Sequence, residues 1–240
     1  MSIRKSKFAT NEIYHIYNRG VDKRNIFINE RDNFRFIHDM YEFNDKNPSI
    51  NINNLISRHQ SQSKLLEVGL PTIIKNKRKE PIVEILAYCL MDNHFHMLIR
   101  QKEENGITNF MRKLGTGYTN YFNQKYKRNG ALFQGKFKSI HIENDAHFMY
   151  LPIYIHLNPL DFEFKEWRNG KISDPEKALE FLLNYRWSSL LDYIGKKNFP
   201  SIIKKDFLIE LFGDEDKQYK QISDWIESFN IDNLSGTTLE

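Results

Sequence analysis

A single cysteine, Cys89, in 240 residues rules out an internal disulfide and any zinc cluster built on thiolates, and it fits a reducing compartment. Long apolar runs are missing as well. The longest, such as Ile85 to Met91, stop far short of the roughly 18 residues a membrane span requires. Met1-Ser2-Ile3-Arg4-Lys5 has none of the apolar stretch of a secretory leader, so the expected location is cytoplasmic, with no membrane partner. A large excess of one charge is lacking too, since Lys plus Arg exceeds Asp plus Glu by only four. What the chain has in quantity is aromatic side chains, 18 Phe and 12 Tyr, within a 40 % hydrophobic composition. That is ample material for a core and excludes global disorder.

The modest net charge hides an asymmetry. Residues 100–141 carry nine basic and two acidic side chains, residues 1–25 add a further net +4, and residues 142–240 are net −7. Two basic segments ahead of an acidic C-terminal stretch suggest a face that meets a polyanion, with nucleic acid the first candidate; a solvated helix surface is the plainer alternative.

Ile13 to Tyr17 has the aromatic and β-branched make-up of a strand and runs into the turn-forming Asn18-Arg19-Gly20. Phe34, Ile37, Met40 and Tyr41 recur at helical spacing within Arg31 to Phe43. Residues 44–81 are rich in Asn, Ser and Lys and read as an insertion with at most one short helix, near Asn54 to Leu66. Ile82 to Met91 and His94 to Arg100 form a predicted hairpin about Asp92-Asn93. A helix follows over about Thr108 to Arg128, weakened at Gly115 and Gly117, then a strand over Ala131 to Ile142. A further helix, capped by Asn144 or Asp145, ends before Asn158-Pro159. This order suits an α+β fold, an antiparallel sheet with helices packed on one side, like a ferredoxin or RNA-recognition fold. The division is a domain over 1–160 and an acidic, largely helical extension over 161–240, whose last residues, Ser235 to Glu240, should fray.

His94-Phe95-His96 carries the chemistry. Residues two apart on a strand face the same way, so both imidazoles project together and can share a divalent metal. Two histidines hydrogen-bonded on a sheet face is the structural alternative. On the last predicted helix Tyr154 and Asn158 are an i, i+4 pair on one side. The Asn158 amide oxygen could complete a metal site, with the Tyr154 hydroxyl beside it. A phenol, with a pKa of about 10, becomes a usable nucleophile when it faces a phosphate that a cation has polarised.

Tyr14 to Gly20 and Ala87 to Ile99 together resemble the first strand and the His-hydrophobic-His strand of the HUH single-tyrosine transposases. Leu132 to Ser139, Tyr154 to Pro159, and Trp187-Ser188-Ser189 through Tyr193-Ile194-Gly195 are similar to later blocks of that family, in its branch associated with repetitive extragenic palindromes. The blocks keep family order over residues 14–195. The resemblance implies a catalytic tyrosine, Tyr154, and the metal ligands His94, His96 and Asn158, holding Mg2+ or Mn2+. It also implies cleavage and rejoining of single-stranded DNA, at hairpins formed by imperfect palindromes, through a covalent 5′-phosphotyrosine. The chain could act as a homodimer. Arg19, Lys23, Arg24, Lys125, Lys127, Arg128, Lys136 and Lys138 are the candidate DNA contacts, with Tyr126, Phe133 or Phe137 available to stack on bases.

Several features depart from or complicate the family pattern. Pro152 lies two residues before Tyr154, where a proline would remove a hydrogen bond and kink the helix unless the helix begins there. Leu160-Asp161-Phe162-Glu163 is acidic where the family usually has a basic residue, which should weaken DNA contacts at that edge. Tyr150, Tyr118 and Tyr121 are rival nucleophiles. Two other functions use the same residues: a metal-dependent nuclease in which water attacks, and a non-catalytic nucleic-acid-binding module in which the histidines are structural.

Overall fold

The computed structural model describes residues 8–47 and 80–228. The expected insertion at 44–81 and its short helix lie almost wholly outside the described residues, as does the frayed end. At the rim of that segment the Lys46 amide donates to the Glu80 carbonyl (2.8 Å).

Among the described residues β1 (Ile13–Arg19), β2 (Val83–Met91), β3 (His94–Gln101) and β4 (Lys138–His141) form one antiparallel sheet in the order β2-β3-β1-β4. The α+β class read from the sequence is therefore correct. β2 is apolar at nearly every position because it is covered on both faces, and it turns into β3 at Asp92-Asn93 as the sequence predicts. Register sets the functional surface: Tyr17 pairs with His96 on one side and Lys138 on the other, and Arg19 pairs with His94. Directly opposed residues share a face, so Arg19, His94, Tyr17, His96 and Lys138 make one continuous polar patch.

The opposite face holds Phe95 and Ile16, against which α1 (Glu30–Phe43) and α2 (Gly106–Lys125) pack. Phe36 meets Phe95 at 5.1 Å and Tyr118 at 5.0 Å between ring centroids. A side chain at Gly117 would sit 2.5 Å from the Phe43 ring, so this glycine is what lets the two helices approach. Asp32 anchors the same pair. It is fully buried and accepts from Lys125 Nζ (2.6 Å), the hydroxyls of Tyr121 (2.9 Å) and Tyr126 (2.7 Å), and the Ile28 amide (2.9 Å). Burial alone would raise its pKa; these donors outweigh it and hold the carboxyl below its ordinary value.

α3 (Asp145–Leu157) departs from the one-sided layout, because it packs on the histidine face, with Tyr154 edge-on to His96. It is apolar all round because its far side is covered as well: Phe148 meets Phe207 of α6 (Lys205–Phe212), and Tyr150 meets Trp225 of α7 (Glu215–Ser228). Asn144 caps it, accepting from the His147 amide (2.7 Å), and the helix continues through Pro152. Two 3-10 turns, Asn158–Phe162 and Lys165–Asn169, lead to α4 (Pro175–Asn184) and the short α5 (Leu190–Tyr193).

The segment around α5 lines the outer edge of β2. The Leu90 amide donates to Trp187 O (2.9 Å), Ser189 N to Tyr88 O (3.0 Å) and Lys204 N to Ile85 O (2.8 Å), while the hydroxyls of Tyr185 and Tyr193 donate to Leu90 O and Leu86 O. The predicted strand over 131–142 is real only at its end. Gly135 has a positive φ of 75°, and Ala131 to Phe137 makes a loop tied to the end of β1 by the Gln134 amide donating to Arg19 O (2.8 Å), Asn18 Nδ2 donating to Gly135 O (3.3 Å) and the adjoining Gly20–Phe133 bridge. Among the described residues no helix is long and apolar enough to cross a membrane.

Candidate active site

The polar patch floors a cleft of about 480 Å³ lined by Tyr17, Arg19, Lys23, His94, His96, Gln134, Lys138, Asp161 and Arg168, among others. Strand alternation aims His94 and His96 into it together, their rings 5.0 Å apart and nearly perpendicular. His96 is fully buried. Its Nδ1 hydrogen-bonds His15 Nε2 (2.9 Å), and its Nε2 is buried with no hydrogen-bond partner. His94 Nδ1 meets Asn93 Oδ1 (2.6 Å).

Burial pushes all three imidazoles toward the neutral form. His15 drops to about 3, helped by nearby His147. His94 drops to about 4 despite the opposing pull of Asp161. His96 lies well below its ordinary value, with His15, His94 and Arg168 reinforcing the desolvation. A neutral imidazole is the ligating form. A group whose folded pKa lies below its unfolded value takes up protons more readily when unfolded. The stability it contributes is therefore complete above about pH 6.5 and is lost as pH falls toward 4, at about 1.4 kcal/mol per pH unit for each such imidazole. Urea unfolding at pH 7.5 and pH 5 is expected to show a markedly lower midpoint at pH 5; equal midpoints would mean that these histidines are charged in the fold.

An unpartnered nitrogen sealed from water is costly unless something ligates it, so the donor set suits a divalent cation. Among the described residues no three His, Cys, Asp or Glu side chains gather as a metal cage. The amide side chains that line the cleft are Asn18, Asn93 and Gln134; Asn158, the ligand expected from the sequence, is not among its lining residues. Asn158 is fully buried at the end of α3. Its Nδ2 donates to Tyr154 O (2.8 Å), and its Oδ1 accepts from Arg168 Nη2 (3.0 Å), which leaves that oxygen a second lone pair.

Tyr154 is 2 % exposed, its ring centroid 6.2 Å from that of His96 and its hydroxyl accepting from Arg168 Nη1 at 2.7 Å. The rivals are placed differently. Tyr118 and Tyr121 lie on the α1/α2 side, donating to Ile26 O (2.5 Å) and Asp32 Oδ1 (2.9 Å), and Tyr150 is buried between Tyr154 and Trp225. Tyr17, not singled out from the sequence, lines the cleft, its ring stacked on His96 (5.8 Å) and under Lys138 Nζ (5.5 Å).

Of the basic residues, Arg19, Lys23 and Lys138 line the cleft. Arg19 hydrogen-bonds Gln134 there. Lys136 lines a second groove, about 450 Å³, with Phe95, Phe133 and Phe137. Lys127 is exposed just beyond α2, Arg128 donates to Asn123 (3.2 Å) and Arg24 to Val21 O (3.2 Å). Lys125 is committed to buried Asp32. Within the acidic run, both Asp161 oxygens accept from Arg168, at 2.8 and 2.6 Å, so that charge is paired inside the site, whereas Glu163 is exposed. Arg168 and His15 are the residues that sequence reasoning missed here. His15 was visible as a third histidine in the first block.

Residues 52–158 match the family described as IS200-like transposases, which bears out the resemblance seen in the sequence. Among curated proteins nothing matches. A solved structure of a REP-associated tyrosine transposase bound to a REP hairpin aligns over 86 % of this chain and 93 % of that one, at 12 % identity and a TM-score of 0.47.

Proposed function

We propose, from the premise that residues 52–158 match the IS200-like transposase family, that this protein cuts and rejoins single-stranded DNA with Tyr154 as nucleophile. The observation that carries the reading is the convergence on one side of the sheet of the His94–His96 pair, the unpartnered His96 Nε2 and the Tyr154 hydroxyl held by Arg168. Mg2+ or Mn2+ held by His94, His96 and Asn158 would supply charge to polarise the attacked phosphate.

In the proposed step the Tyr154 oxygen forms a bond to phosphorus and the bond from phosphorus to the 3′ oxygen breaks. The phenol proton passes to solvent, and the departing oxygen gains a proton to become a free 3′ hydroxyl. The phosphotyrosine ester conserves the bond energy, so rejoining is the same step reversed by another 3′ hydroxyl and needs no ATP. Arg19, Lys23 and Lys138, at the cleft wall, suit the DNA backbone. Lys136 and the aromatics of the second groove suit unpaired bases. The family resemblance extends the reading to hairpin or palindromic targets.

The test is direct. Labelled single-stranded DNA carrying a hairpin is incubated with the protein and Mn2+ and run on a denaturing gel. A DNA-bearing protein band that disappears with EDTA is the expected result. Cleaved DNA without that band would favour water as nucleophile, and binding without cleavage would favour a non-catalytic module.

A further inference from the structure

Arg168 lies outside the family-matched residues, in a 3-10 turn of the acidic extension, yet it touches both Tyr154 of α3 and Asn158 just beyond that helix. Its guanidinium is held along two directions by Asp161, with Nε on Oδ1 (2.8 Å) and Nη2 on Oδ2 (2.6 Å). Asp161 is itself fixed by the indole nitrogen of Trp167 (2.7 Å), a residue only 1 % exposed, and the guanidinium lies 4.8 Å from the Trp167 ring centre. A planar fork clamped on those sides has Nη1 aimed at the Tyr154 hydroxyl, 2.7 Å away, while the side chain also faces the cleft of His94 and His96. A buried phenol needs a hydrogen-bond partner in any fold; what this arrangement adds is that the partner is a charged guanidinium that also lines the cleft.

We infer that Arg168 is a positioning residue for Tyr154: anchored by Asp161 and Trp167, it holds the phenol oxygen in line with the cleft and stabilises negative charge on that oxygen as the phosphodiester is attacked. The inference rests on the reading of Tyr154 as nucleophile. Bonds form and break as in that reaction. Arg168 stays a protonated guanidinium throughout; it donates hydrogen bonds and takes no proton. Because a preorganised donor costs no rearrangement when charge develops, its removal should slow the step and leave the fold in place. The acidic extension thereby becomes part of the active site.

The experiment follows the rate of adduct formation on hairpin-bearing DNA from pH 6.5 to 9.5 for wild type, Arg168→Ala, Arg168→Lys and Asp161→Asn, with thermal melting as a control. Arg168→Ala should be slowed by roughly 100-fold near neutrality. The deficit should shrink as pH rises and hydroxide does the work of the missing charge, and added methylguanidinium should restore part of the rate. Arg168→Lys should be intermediate, and Asp161→Asn should show a smaller alkaline displacement of the same curve. An Arg168→Ala protein as fast as wild type would overturn the inference. So would one slowed equally at every pH and unresponsive to methylguanidinium. If Arg168→Ala melts below the assay temperature, an Arg168→Lys profile identical to wild type overturns it. A wild-type protein that cleaves without any adduct would instead sink the nucleophile assignment, and the role of Arg168 with it.

Discussion

Tyr154→Phe is expected to abolish the covalent DNA adduct, a loss of roughly 1000-fold or more, while leaving the protein folded and able to bind hairpin DNA. The ring packs against Tyr150 and Trp167 at 5.7 and 5.8 Å, and phenylalanine preserves those contacts while removing the oxygen that accepts from Arg168. Tyr17→Phe is the matched control. Its hydroxyl belongs to a residue lining the same cleft, and its ring stacks on the same histidine. Adduct formation should survive that change within a few-fold. The opposite pattern, with Tyr17→Phe silent and Tyr154→Phe active, would move the nucleophile from α3 to β1.

His96→Ala should lower Mn2+ affinity by roughly 100-fold or more, measured by titration calorimetry without DNA, and His94→Ala should do likewise. Both positions are exacting, because Nδ1 is committed in each, to His15 for His96 and to Asn93 for His94, and only Nε2 remains for a cation. Wild-type protein that takes up no Mn2+, or a His96→Ala variant that binds it as well as wild type, would show that the paired imidazoles serve the sheet and not a metal.

Much of this arrangement was legible in the sequence. The β2–β3 hairpin announces itself through β-branched and aromatic runs broken by Asp92-Asn93, and α2 through apolar residues at helical spacing. The histidine pair follows from strand alternation alone. What could not be read depends on partners distant in the chain. A helix as uniformly apolar as α3 has no polar side to say which face of a sheet it will take, and it was misplaced for that reason. Lys125 looks like any solvent-facing lysine until Asp32, 93 positions away, is found beneath it. Arg168 is separated from Tyr154 by two short 3-10 turns, which impose no periodicity to link them. Over 131–137 the aromatic content suggested a strand, but Asn129-Gly130 and Gly135 bend the chain so that only Lys138–His141 can pair.

The saturated outer margin of β2 limits how this protein can associate with itself. With Ile85, Leu86, Tyr88 and Leu90 already bonded to residues 185–204, that side has little main-chain capacity left for a neighbouring molecule. Among the described residues the other margin of the sheet is β4, next to Lys138 and the mouth of the cleft, so that two copies joined by prolonging the sheet there would bring their clefts close together.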